Sequence, residues 1–244
     1  MAKFINDSLV HMWRGLQSTS GYEISQIDGM HLLKSPTSVV NLNVCVEPSK
    51  IEHVLAAKIF FQGKDFGSIE TPGFEWDSIP IKAAVDLVEM HLSTDNIAPV
   101  KMPQGIYQAH DHKSMLRWAE LLKINFGLDQ EALFSFAQAL THLKRAILLY
   151  AVHEKQIVGT GQVYIDDQNL SYISAISVLP EYRRLHIGSK LMQAAIHYSI
   201  EQGAKLLALH ASEMGRFLYH HLNFKQIKTW KFKIIDNSKQ KEDF

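Results

Sequence analysis

Arg183 and Arg184 stand between an apolar run, Ile173 to Val178, and a helical pattern that opens at Ile187 with Gly188 just inside it. A strand that ends against a helix N-terminus aims unpaired backbone N–H groups and the positive end of the helix dipole at one place, which suits a phosphate or pyrophosphate. The two guanidinium groups add to that field. A solvated basic turn would explain the arginines, but not their position between strand and helix. Gly188 can serve close packing and phosphate approach together.

Other residues with chemical potential have simpler explanations. Cys45 is the sole cysteine, so no internal disulfide or CxxC site can form. It alternates with the apolar positions of its segment, reads as edge-facing, and has no activating neighbour that would make it a nucleophile. His220 and His221 are adjacent and cannot share one helical face, which argues against joint metal ligation. His110-Asp111-His112 reads as a helix start, with Asp111 as the cap. No metal site is expected. Tyr219, taken alone, reads as a core aromatic of a short helix. Phe74 and Trp76 lie in a glycine-rich stretch and read as a loop folded over the core.

These residues sit in a chain of 244, with 46% hydrophobic and 20% charged residues, close to the average soluble globular protein. Lys+Arg and Asp+Glu both number 25, so nothing in the overall charge favours nucleic acid or an anionic membrane as partner. A small-molecule or peptide partner is favoured. No window approaches the roughly 20 apolar residues of a membrane span, and Asp7 interrupts the N-terminus before any apolar signal segment develops. With one cysteine, a reducing, cytoplasmic location is expected.

The elements that must position the turn follow from periodicity. Val40, Leu42, Val44 and Val46 alternate with polar or small residues and predict a strand over 39–46. Pro48 to Phe61 predicts an amphipathic helix with Ile51, Val54, Leu55, Lys58 and Ile59 on one stripe, stopped by Gly63. Residues 63–80 read as mostly loop and Ile81 to Leu92 as a strand. Ser93 to Gly105, with Pro99 and Pro103, reads as a linker.

Beyond it, Asp111 caps a helix with Met115, Leu116, Ala119, Leu122 and Phe126 on its apolar stripe. Gly127 ends that helix before a second, Asp129 to His142. Ala146 to Val152, Ile157 to Ile165 and Leu170 to Val178 predict an antiparallel meander. The Ile187 to Gln202 helix, closed by Gly203, leads to a strand over 206–210 with locally parallel pairing. A short helix ending at Leu222 and a strand over 224–234 complete the chain.

In that setting the motif resembles the GCN5-related N-acetyltransferases (GNAT family). The family's acetyl-CoA signature is Arg or Gln, two free positions, Gly, one free position, then Gly or Ala. Arg183-Arg184-Leu185-His186-Ile187-Gly188 fits it at Arg183 and Gly188, with the lead-in Val178-Leu179-Pro180-Glu181-Tyr182. A second block, Leu209-His210-Ala211-Ser212 through Gly215-Arg216, Leu218-Tyr219 and Asn223-Phe224, also fits. His186 departs from the family's Gly at a turn that favours the left-handed region, and Asn223 replaces a second Gly. The resemblance is firm from about Ala146 to Phe232 and faint across Tyr22 to Leu92.

The resemblance implies an α/β fold with a mixed, mostly antiparallel sheet flanked by helices and a smaller α/β N-terminal half. With the boundary at the linker and residues 237–244 as a polar tail, the resemblance makes 106–236 the acetyltransferase domain and 1–105 a degenerate, non-catalytic half. It implies that acetyl-CoA lies along Ile176, Ser177 and Val178 where that strand splays from the next. The pyrophosphate would be held by Arg183, Arg184, Leu185, His186, Ile187, Gly188 and Ser189. It makes Tyr219 the general acid for the leaving thiolate and a small-molecule or peptide amine the acceptor, in a pocket between Phe126, Phe134 and the N-terminal half. No acid occurs between Ser171 and Val178, so the base stays open among Glu154, His210, Glu213, a water chain or a neutral amine. The rival readings are a non-catalytic acyl-CoA-binding or sensor module, and an acyltransferase with a longer donor or an oxygen acceptor.

Overall fold

The computed structural model describes residues 4–19, 21–70, 79–95, 97 and 100–237. Phe74, Trp76 and residues 238–244 of the polar tail lie outside the described residues.

Helix α1 (Phe4–Leu16) precedes a hairpin of β1 (Glu23–Ile27) and β2 (Met30–Lys34), then β3 (Val44–Val46), α2 (Ile51–Phe60), β4 (Phe66–Glu70) and β5 (Ile81–Ser93). The second part runs β6 (Ile106–Gln108), α3 (His112–Phe126), α4 (Gln130–Leu140), β7 (Ala146–His153), β8 (Gln156–Ile165), β9 (Leu170–Val178), α5 (Ile187–Glu201), β10 (Leu206–Ala211), α6 (Glu213–His221) and β11 (Lys225–Ile235). Among the described residues all strands join one 11-stranded sheet in the order β1-β2-β3-β4-β11-β5-β10-β9-β8-β7-β6. Pairing is antiparallel except β3 with β4 and β9 with β10. The expected mixed, mostly antiparallel sheet with flanking helices is what forms.

The predicted linker joins β5 to β6. The sheet crosses that point: β5, from before the linker, sits between β10 and β11, from after it. Its partners Leu206↔Ser93 to Ala211↔Val88 on one edge and Lys225↔His91 to Ile235↔Ile81 on the other make it a central strand.

Strand alternation sorts the side chains into two layers. Val88, Met90 and Leu92 of β5 and Leu207, Leu209 and Ala211 of β10 pack with Ile187, Leu191 and Ala195 of α5 and Tyr219 of α6. On the opposite face Trp230, Leu148 and Tyr164 pack with Trp13 of α1, Trp118 of α3 and Phe136 of α4. Helix α1, which the sequence reading did not identify, buries Ile5, Leu9, Met12, Trp13 and Leu16 at helical spacing.

Other expectations need correction. Val40–Leu42 forms a 3-10 turn rather than the start of a strand, and Asn43 ties that turn down through Nδ2 to the carbonyls of Thr37 and Val39. The buried side of α2 is His53, Val54 and Ala57, while Ile51, Leu55 and Ile59 are exposed. Residues 63–80 include a fully buried strand, β4. In α3, Leu116 and Phe126 are exposed and Trp118 fills the core, its Nε1 donating to Gly161 O at 3.2 Å. Cys45 is buried in a central strand against Met30 Sδ, and burial pushes its thiol well above its ordinary pKa. Asn237, read as tail, is buried; its Nδ2 donates to Lys58 O at 2.9 Å.

Candidate active site

β9 and β10 pair in parallel only over Leu170↔Leu206, Ser171↔Leu207 and Tyr172↔Ala208. Beyond that point β9 continues to Val178 and β10 to Ala211 without pairing, so the sheet opens between them. A bulge in β9 accompanies the opening. Its register against β8 slips between Thr160↔Ser177 and Gln162↔Ser174, and Ala175 takes φ 55°. An extra residue bends a strand and strengthens its twist. Thr160 Oγ1 donates to Ala175 O at 2.8 Å and fixes the bulge. Gly161 lies opposite, where a Cβ would come within 3.0 Å of Ile176 Cδ1.

The chain leaves β9 through a 3-10 turn, Pro180–Tyr182, and enters α5 at Ile187. Arg184 has φ 66° and His186 has φ 57° and ψ 14°, both left-handed. The His186 side chain makes no cap bond. Left-handed residues interleaved with others curl successive N–H groups into an anion-binding concavity. Among the described residues, no backbone or side-chain acceptor takes the amides of Arg184, Leu185, His186, Ile187, Gly188 or Ser189, and the first helical bond back to the turn is Lys190 N to His186 O. Arg183 instead braces the turn: Nε donates to Val178 O and an η nitrogen to Asn125 Oδ1, both at 3.2 Å. Arg184 is exposed and has no such brace among the described residues.

The structure thus brings Ile176 to Val178 and Arg183 to Ser189 together. Tyr219 of α6 belongs to the same apolar cluster as Ile187, against which Ile176 and Val178 pack. A Cβ on Gly188 would lie 3.4 Å from Leu218 Cδ2 and 3.9 Å from Val178 Cγ2, so strand end, α5 and α6 meet at this glycine. Helix α6 is capped by Ser212, whose Oγ accepts from Gly215 N. Gly215 leaves room for the Tyr219 ring, which would stand 3.0 Å from a Cβ there. Burial pushes the Tyr219 hydroxyl up to about 12, so it stays protonated at any working pH.

The expected bases separate clearly. Glu154 lies exposed in the β7–β8 turn and Glu213 lies exposed in the first turn of α6. His210 lies in the opening itself, just past the last β9–β10 pair, opposite Glu89 on β5. Glu89 is 1% exposed and accepts from His91 Nε2 at 2.6 Å and Trp230 Nε1 at 2.7 Å. Desolvation pushes the Glu89 carboxyl up, but these bonds and the nearby imidazoles outweigh it and hold it below its ordinary value. The sequence reading missed Glu89 and His91. Their signal is two polar residues on one face of an otherwise apolar strand, Leu87-Val88-Glu89-Met90-His91-Leu92.

The expected acceptor pocket does not form from the residues named for it. Phe126 is exposed at the end of α3, while Phe134 packs edge-on against His112 at the start of the same helix, 4.9 Å between ring centroids.

Residues 114–224 match the sequence profile of the acetyltransferase (GNAT) family. No curated protein matches the sequence. By fold, the chain is similar to a GNAT-family acetyltransferase from Novosphingobium aromaticivorans, described as putative, at 14% identity, TM-score 0.69 and 95% of both chains. It is similar to a GCN5-related N-acetyltransferase from Kribbella flavida at 13% identity, TM-score 0.69, covering 97% of this chain and 96% of that one. It is also similar to a functionally unknown conserved protein from Staphylococcus epidermidis at 12% identity, TM-score 0.63, covering 89% and 95%. These likenesses extend through both parts of the chain and concern the fold. The split between β9 and β10 and the amide-lined turn both fall within residues 114–224, the segment that matches the acetyltransferase (GNAT) family profile, in a chain whose fold is similar to that of GNAT-family structures.

Proposed function

We propose that the protein transfers the acetyl group of acetyl-CoA directly to an amine. The observation that carries this reading is the row of amides from Arg184 to Ser189 that have no acceptor among the described residues, at the end of a strand that has parted from its neighbour. A diphosphate satisfies such a row. The unpaired length of β9 beside it suits the extended, amide-bearing pantetheine arm, which places the thioester near Tyr219. Arg184 is free to reach a phosphate, whereas Arg183 holds the turn in shape. His186 already occupies the left-handed conformation that the turn needs, which weakens the motive for a binding-only sensor.

The amine nitrogen attacks the thioester carbon. A C–N bond forms as the carbonyl becomes an oxyanion, which strand amides such as that of Val178 can stabilise. Collapse breaks the C–S bond, and the amine gives up a proton. Tyr219 donates a hydrogen bond to the departing sulfur. With the phenol near 12 and a free thiol near 8.5, complete transfer from Tyr219 is uphill by about 5 kcal/mol, so stabilisation of developing charge is its larger contribution. Solvent then completes protonation of the thiolate. Holding two reactants together supplies the remaining acceleration.

The acceptor class is a small-molecule or peptide amine, and the lone cysteine fits a reducing, cytoplasmic setting. No helix among the described residues is long and apolar enough to cross a membrane. Tyr219→Phe should lower turnover on the order of 10²-fold while acetyl-CoA affinity holds within about threefold. Equal loss of both would remove Tyr219 from the chemistry. Tight acetyl-CoA binding without thiol release on any amine would select the sensor reading, and faster release from longer acyl-CoAs the longer-donor reading.

A further inference from the structure

His210 is the one candidate base that the fold brings to the opening, and its surroundings are unusual. The last pair joining β9 to β10 is Tyr172↔Ala208, so the His210 side chain stands on the first position of that sheet face with no β9 partner. Its Nε2 is sealed from solvent and has no hydrogen-bond partner among the described residues. A buried polar atom left unpaired is costly, and such atoms concentrate where a ligand or reaction supplies the partner. Directly across β5 lies Glu89, a buried carboxylate whose two oxygens are held by His91 and Trp230. Tyr172 meets the His210 ring edge-on at 6.2 Å between centroids.

Position relative to Tyr219 matters as much. Tyr219 belongs to the layer of α5 and α6, whereas alternation along β10 puts His210, with Ala208, on the layer of α1. The gap between β9 and β10 connects the two layers. An acyl transfer needs its proton acceptor beside the incoming nucleophile and its donor beside the leaving group, at separate points around the carbonyl carbon.

We propose that His210 is the proton acceptor for the attacking amine, with Glu89 as the positioning residue that stabilises the imidazolium once formed. This rests on the acetyl-transfer reading above. As the C–N bond forms, the amine N–H proton passes to His210 Nε2, directly or through one water. The half-buried imidazolium passes the proton on to solvent once the product leaves and water re-enters the cleft, while sulfur leaves with its electron pair toward Tyr219. Burial lowers His210 to about 4, with Glu89 pulling upward and His91 pulling further down. The ring is therefore neutral across the working range, and the Glu89 carboxylate opposite offsets part of the cost of charging it as the proton arrives. The groups facing it are Glu89 and His91 from β5 and Tyr172 from β9, with Lys228 lying over the Trp230 indole at 3.9 Å.

The test compares wild type with His210→Gln, which keeps a polar side chain but cannot take up the proton. Thiol release from acetyl-CoA is followed with an aliphatic diamine, an amino sugar and a short peptide with a free amino terminus. Acetyl-CoA binding is measured in parallel by calorimetry. The expected result is a loss of kcat on the order of 10²- to 10³-fold with acetyl-CoA affinity within about threefold. In His210→Ala, added imidazole should restore part of the rate. Undiminished kcat in His210→Gln, or a loss shared by binding and rate and not rescued by imidazole, would overturn the assignment. Wild type that binds acetyl-CoA yet releases no thiol with any of the three amines would instead remove the transfer reading, and this assignment with it.

Discussion

A half-buried imidazole, His210, and a buried carboxylate, Glu89, face each other across β10 and β5, and both couple stability to pH in the same direction. His210 titrates near 4 when folded against 6.5 for the free group, so between those values the unfolded chain binds the extra proton. Stability then rises with pH through that window and is lost on acidification, by at most about 3 kcal/mol. Glu89, held below its ordinary value, adds a loss at lower pH, as acidification passes through its folded pKa. Urea unfolding from pH 7 down to 4.5 should therefore show falling stability in wild type and a flatter profile in His210→Gln. Parallel profiles would place the acid sensitivity elsewhere. Glu89→Gln should cost about 2 to 4 kcal/mol at pH 7, because an amide presents a donor to a site built from two donors.

At the scale of elements, the bulge at Ala175 shapes the opening, and Thr160 secures it. Thr160→Val keeps the shape of the side chain and removes the hydroxyl. It should cost about 1 kcal/mol in stability, and acetyl-CoA affinity should fall by more than that loss explains because the strand end moves. Calorimetry on a folded variant checks this; unchanged affinity would mean that the bulge is not what holds the cleft open. The elements around this site were the most legible in sequence. β7, β8 and β9 were marked by alternation and by polar turns such as Asp166 to Asn169, where Asp166 Oδ1 accepts from Gln168 N and Leu170 N. Asp111 and Asp129 cap α3 and α4 as their side-chain chemistry dictates. The N-terminal part was harder. In 39–46 the alternation persisted through a 3-10 turn that only the Asn43 bonds reveal, and in α2 His53 took the buried position that the apolar pattern gave to Leu55 and Ile59.

For the whole molecule, the decisive placement is β5 between β10 and β11. Nothing local in Ile81 to Ser93 specifies those partners, because strand pairing across such separations is set by the assembled sheet rather than by turn signals. The same fact hides Glu89 from a reading that treats residues 106–236 as the whole active half. A fragment of residues 106–244 would leave an edge of β10 and both edges of β11 unpaired. It should express as an aggregated or unfolded chain, judged by size-exclusion chromatography and circular dichroism, since exposed strand edges template association. A soluble monomeric fragment that binds acetyl-CoA would show that the second part is self-sufficient.

The central claim is that the turn after β9 grips the diphosphate of acetyl-CoA through its main chain. The most direct measurement is a ¹H–¹⁵N correlation titration of the full chain with acetyl-CoA. Saturable shifts should appear at the amides of Arg184 to Ser189, extending to Ile176–Val178 and fading with distance along α5. No shift at these amides at saturating acetyl-CoA, or shifts confined to another face of the sheet, would contradict it.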